Sequence, residues 1–76
     1  MPTIKALINK MNNQPNGISF NEAKRVLENS GFDLVRISGS HNIFRNSKGE
    51  VITIKKETPL KAVYVKDILE RIGQNR

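Results

Sequence analysis

Ser38-Gly39-Ser40-His41-Asn42-Ile43-Phe44-Arg45 fits a turn and a strand into eight residues. Gly39 between two serines signals a turn, because glycine takes the positive φ that tight reversals need. Period-two alternation then puts His41, Ile43 and Arg45 on one face of a strand, with Asn42 and Phe44 on the other. The pattern does not say which face is covered. His41 is the one histidine in the chain. Histidine alone among side chains has an unperturbed pKa near neutrality. No other residue here is an obvious proton-transfer catalyst, so acid–base chemistry would fall to His41.

The strand pattern continues on both sides. Phe32 to Ile37 is rich in β-favouring residues and predicts a preceding strand. Its alternation sets Phe32, Leu34 and Arg36 on one side and Val35 and Ile37 on the other. Asn46-Ser47-Lys48-Gly49 reads as a four-residue hairpin turn. Glu50 to Lys55 then returns as a third strand.

Helices flank the strands. Ser19-Phe20-Asn21-Glu22 is a capping box, with Ile18 before it able to staple against Ala23. Phe20, Ala23, Val26 and Leu27 form that helix's apolar face, Gly31 stops it, and Phe32 folds back on its last turn. Before it, Thr3 to Met11 predicts a short helix with Ile4, Leu7, Ile8 and Met11 on one stripe, broken by the turn formers of residues 12–17. A loop at Lys56–Lys61, interrupted by Pro59, leads to a last helix over Ala62–Ile72. Its stripe is Val65, Ile68, Leu69 and Ile72, Asp67 and Arg71 can pair, and Gly73 ends it. Gln74, Asn75 and Arg76 are expected to fray. The order α-α-β-β-β-α implies an α+β fold: a three-stranded antiparallel sheet with helices on one face and the other face open.

Seventy-six residues allow one small domain with a single modest core. Without cysteine there is no disulfide or thiolate zinc site, and a lone histidine argues against a structural transition metal. No apolar run is long enough to span a membrane, and the start does not read as a signal peptide. A soluble cytoplasmic protein without a small-molecule cofactor is the plain reading. The net charge of +6 is uneven, since Arg36 to Lys66 carries +5 of it. That distribution suits a polyanion such as nucleic acid, or lysine-protected strand edges.

Gly31-Phe32 closing a capped helix, Val35-Arg36-x-Ser38-Gly39-Ser40-His41-x-Ile43-Phe44, a hairpin, and a late Tyr64-Val65-Lys66-x-Ile68-Leu69 helix together resemble the HicA toxins. The resemblance spans roughly Ile18 to Ile72. It implies a fold like the double-stranded-RNA-binding domain and an mRNA interferase activity held in check by a HicB antitoxin. It also implies a core at residues 18–73, with residues 1–17 as the extra N-terminal helix and linker of a longer subgroup. The family's essential histidine maps onto His41. Many members carry a second histidine directly after it, where this chain has Asn42.

An RNA-cleaving site would use neutral His41 to take the 2′-hydroxyl proton, or its imidazolium to protonate the leaving 5′-oxygen, with no metal required. One histidine cannot do both at once, so a lysine, a water or a phosphate oxygen must cover the other role. Arg36 or Arg45 would stabilise the phosphorane, and Gly39 and Ser40 would approach a phosphate. Lys48, Lys55, Lys56, Lys61 and Lys66 would contact the backbone without reading sequence. Tyr64 reads as a partly buried core residue, with base stacking as its functional alternative. Taken alone, a histidine at a strand start is usually an ordinary surface residue and Ser38-Gly39-Ser40 an ordinary turn; the family context gives His41 its role. The alternative function is a non-catalytic RNA-binding module of the same fold, and a weaker one a protein-interaction domain.

Overall fold

The computed structural model describes residues 2–74. Helix α1 spans Ile4–Asn13 and α2 spans Phe20–Asn29, joined by a 3-10 turn at Pro15–Gly17. Three strands follow, β1 at Asp33–Ser38, β2 at His41–Arg45 and β3 at Val51–Lys55, then α3 at Ala62–Arg71. The sheet is antiparallel in the order β1-β2-β3, so β2 is central. This is the expected α+β arrangement, consistent with a double-stranded-RNA-binding-domain-like fold.

Four of the helix boundaries have a local cause. Thr3 caps α1 by accepting from the Ala6 amide, and α1 runs two residues past Met11, to Asn13. The capping box of α2 is complete: Ser19 Oγ accepts from the Glu22 amide, and Glu22 Oε1 accepts from the Ser19 amide at 3.0 Å. Helix α2 closes in a Schellman arrangement. The Phe32 amide donates to the Leu27 carbonyl, the Gly31 amide donates to Glu28, and Gly31 takes a φ of 91°.

The same closure recurs at α3, where the Gln74 amide donates to Leu69 and the Gly73 amide to Glu70. Gln74 is therefore tied down rather than frayed, and its carbonyl accepts from Asn12 Nδ2 at 3.0 Å. Asn75 and Arg76 lie outside the described residues.

The core forms between the helices and one face of the sheet. Leu7 and Met11 of α1, Phe20, Ala23, Val26 and Leu27 of α2, and Val65, Ile68 and Leu69 of α3 close over Phe44, Ile52 and Ile54. Phe20 and Phe44 meet with ring centroids 6.3 Å apart. The short α1 is held by packing against α2 and α3, as a helix of its length requires. The last loop is pinned too: Leu60 is buried and its amide donates to the Ile18 carbonyl.

One expectation for the sheet is overturned. The sequence alternation set Leu34 and Arg36 on the same face, but Leu34 pairs with Phe44 and Arg36 with Ile43. Val35 is the extra residue of a β-bulge between them, and a bulge inverts the facing of the residues beyond it. Leu34 thus joins the core side while Arg36 turns to the open side. Ile37 now shares the core-side register with Asn42, yet it stays 62% exposed, so the helices do not cover that end of β1.

Glu22 links this packing to pH. The Lys10 ammonium bonded to it at 2.8 Å, and then the Ser19 amide, hold its carboxyl below the ordinary carboxylate pKa. A depressed folded pKa stabilises the fold above the unfolded pKa, and that stabilisation fades as pH falls through the folded value. Glu22→Gln keeps an oxygen for the Ser19 amide but loses the charge paired with Lys10, and should cost about 0.5 kcal/mol at neutral pH. In urea unfolding the gap between wild type and variant should close as pH drops well below the carboxylate range.

Candidate active site

The Gly39-Ser40 turn sets the position of His41. Gly39 has a φ of 59° and Ser40 does not have a positive φ, the pattern of a two-residue hairpin turn with glycine first. Such a turn places Ser38 directly opposite His41. On the other side of β2, His41 faces Lys55 of β3. The Asn46 amide donates to Glu50 and the Lys56 amide to Ser40. Alternation between those two bonded pairs makes His41–Lys55 a non-hydrogen-bonded pair, the kind whose side chains stand closest, with Cβ atoms ~4.5–5.5 Å apart.

His41 is exposed on the open face of the sheet, and the helices cover the opposite face, where Asn42 and Phe44 point. The bulge at Val35 brings Arg36 onto His41's side. Opposite Ile43, it lies two residues along the sheet, ~7 Å from the histidine at the usual strand rise. Arg45 shares the face but sits ~13 Å along β2. Its guanidinium lies toward Gly49, in the β2–β3 turn that also carries Lys48. Lys55, Arg36 and Arg45 thus form a band along the open face. Lys55 and Arg36 lie near His41 and Arg45 at the far end, while Lys48 lines a groove with Gly31, Phe32, Arg71 and Ile72 at the ends of α2 and α3.

The other three lysines stand elsewhere. Lys56 follows Lys55 and turns to the helical side, where its Nζ sits 5.2 Å above the Phe20 ring. Lys61 precedes α3 as its N-cap, and Lys66 is on α3 itself. Lys66 lines a groove of about 390 Å³ together with Thr53, Val63, Tyr64, Asp67 and Glu70. Tyr64 is half-buried against the core. The ten residues named from the sequence therefore do not form one surface. Gly39 and Ser40 are exposed at the turn beside His41, and the Ser40 carbonyl is already engaged by the Lys56 amide at 2.7 Å.

One neighbour of His41 and one of Lys55 escaped the sequence reading. Ser38 was legible in principle, because a two-residue turn always opposes the residues that flank it. Glu57 was not legible. Its Oε1 lies 4.0 Å from Lys55 Nζ, a contact that depends on how the chain leaves β3.

Asn42, which stands where many HicA toxins have a second histidine, is buried at 4% exposure. Its Nδ2 donates to the Ser40 carbonyl at 3.2 Å, behind the sheet and away from His41's face. A side chain at this position braces the turn from the core side and has no route to a group bound on the open face. Among the described residues, no three His, Cys, Asp or Glu side chains gather as metal ligands. No helix among them is long and apolar enough to cross a membrane.

Two substitutions should act on stability through these contacts. Asn42→Ala removes a buried hydrogen bond and should lower unfolding free energy by about 1 kcal/mol in urea titration. Lys56→Ala removes the cation from the Phe20 ring and should cost about 0.5–1 kcal/mol in the same measurement.

The comparisons with known proteins give one match. The family model described as HicA toxin of bacterial toxin–antitoxin systems covers residues 20–74, leaving α1 outside the match. No curated protein and no solved structure matches the chain. A match over that much of the chain, including every strand and the His41 turn, places the protein in a family: it belongs to the HicA toxins of bacterial toxin–antitoxin systems.

Proposed function

We propose that this toxin is a metal-independent endoribonuclease that cleaves mRNA in the cytoplasm, with His41 as the acid–base residue, and that a HicB-like antitoxin neutralises it. The observation that supports this reading most is the position of His41. It is exposed on an open sheet face and cross-strand from Lys55, with Arg36 turned toward it by the Val35 bulge.

A phosphodiester on this face would lie between a neutral imidazole and two cations. His41 would take the 2′-hydroxyl proton, and the 2′-oxygen would attack the adjacent phosphorus. Arg36 is near enough to share the negative charge that builds on the phosphoryl oxygens, which a guanidinium binds through paired N–H donors. Arg45, at the far end of the face, and Lys48, on the turn beyond it, suit flanking phosphates and would bind without reading sequence. A HicB-like antitoxin would present acidic residues to the same band. Residues 18–73 would form the nuclease core and residues 1–17 an added helix and linker.

The test compares wild type with His41→Ala, by growth arrest on induction and by RNA cleavage in vitro with a chelator present. Wild type should cleave under chelator, and the variant should lose activity by about 10²–10⁴-fold while unfolding at an unchanged urea midpoint. A variant that cleaves as fast as wild type sinks the mechanism. Salt-sensitive RNA binding by wild type without any cleavage products identifies the non-catalytic binding module instead.

Arg36→Ala and Lys48→Ala should each lower the slope of log affinity against log salt by about one phosphate contact. Filter binding of a single-stranded RNA across a salt series reads this directly.

A further inference from the structure

The geometry points to Lys55 as the second proton-transfer group of the site, the acid that protonates the leaving 5′-oxygen, with Glu57 as its positioning residue. This rests on the endoribonuclease reading and supplies the partner that a single histidine needs.

Three observations carry it. Lys55 is the cross-strand neighbour of His41 in the close, non-hydrogen-bonded kind of pair, so the two side chains rise from the same face side by side. The other cations on that face near or along β2 are Arg36 and Arg45, whose guanidiniums stay protonated in proteins and cannot act as acids. An ammonium can release its proton. Finally, Lys55 is paired. Glu57 Oε1, a buried oxygen that accepts no hydrogen bond among the described residues, lies 4.0 Å from Lys55 Nζ. A carboxylate there restrains a long, otherwise mobile side chain.

The step balances. The 2′-O–H bond breaks as its proton passes to His41, and the 2′-oxygen forms a bond to phosphorus. The P–O5′ bond breaks with its electron pair moving to the 5′-oxygen, which takes a proton from Lys55. The products are a 2′,3′-cyclic phosphate and a 5′-hydroxyl. His41 then gives its proton to water and Lys55 regains one from water, so the net transfer is from the 2′-oxygen to the 5′-oxygen.

The test uses a leaving group that needs no acid. An RNA oligonucleotide that wild type cleaves is resynthesised with sulfur replacing the bridging 5′-oxygen at the cut, because a thiolate departs without protonation. With the ordinary oligonucleotide, under single turnover at saturating enzyme, Lys55→Ala should be about a hundredfold or more slower than wild type. On the sulfur substrate it should approach wild type. Glu57→Gln should show a smaller loss on the ordinary RNA and the same rescue. His41→Ala should stay slow on both, since the 2′-hydroxyl still needs a base. If Lys55→Ala is equally slow on both substrates, or equal to wild type on both, Lys55 is not the acid and the His41 mechanism stands without it. If no RNA offered to wild type is cleaved, so that no such oligonucleotide exists, the endoribonuclease reading fails and this assignment fails with it.

Discussion

Strand β2 is hydrogen-bonded on both edges and committed on both faces, and most of the molecule depends on that constraint. Its even-numbered positions, Asn42 and Phe44, are buried under the helices, while His41, Ile43 and Arg45 look the other way. Phe44 is fully buried and meets Phe20 of α2, so the register of β2 cannot slip by one residue without ejecting an aromatic ring from the core. The same register holds His41 in the open. Burial of Phe44 and exposure of His41 are two consequences of one pleat.

Around this strand the fold corrects its own pattern once. The Val35 bulge lets Leu34 pack beside Phe44 and then reverses the facing of β1, so that Arg36 joins the histidine. Without the extra residue either Leu34 would leave the core or Arg36 would point into it. Bulges are common where a side chain must be re-aimed, and here the re-aimed side chain is a guanidinium on the histidine's face. The second correction concerns Asn42. A residue directly after His41 is on the far side of the sheet, so its chemistry belongs to the turn it braces.

The basic charge also divides once the chain is folded. In sequence the cations between Arg36 and Lys66 look like one cluster. In space Arg36, Arg45 and Lys55 border the open face, Lys48 lines a groove at the ends of α2 and α3, Lys56 covers an aromatic ring on the helical side, and Lys61 and Lys66 cap and occupy α3. Charge counted along a chain measures how strongly a polyanion is attracted. Facing determines which cations can touch it.

Local rules were sufficient for much of this. The capping box at Ser19–Glu22, the stop at Gly31-Phe32, the apolar stripes of the three helices and the two hairpin turns depend on neighbours within a few residues, and each stands within about two residues of its sequence-based bounds. The alternation of β2 is equally local, which is why His41's face was legible before its surroundings were. Three features were not legible. The covered face of the sheet depends on where three helices dock, the bulge at Val35 depends on reconciling two strand registers, and the contact between Glu57 and Lys55 depends on the path of the chain after β3. Sequence by itself determined the elements and the histidine, because capping and pleating are short-range. Only the tertiary structure decided which charges share a face with it, because that depends on long-range strand pairing and packing that no local pattern encodes.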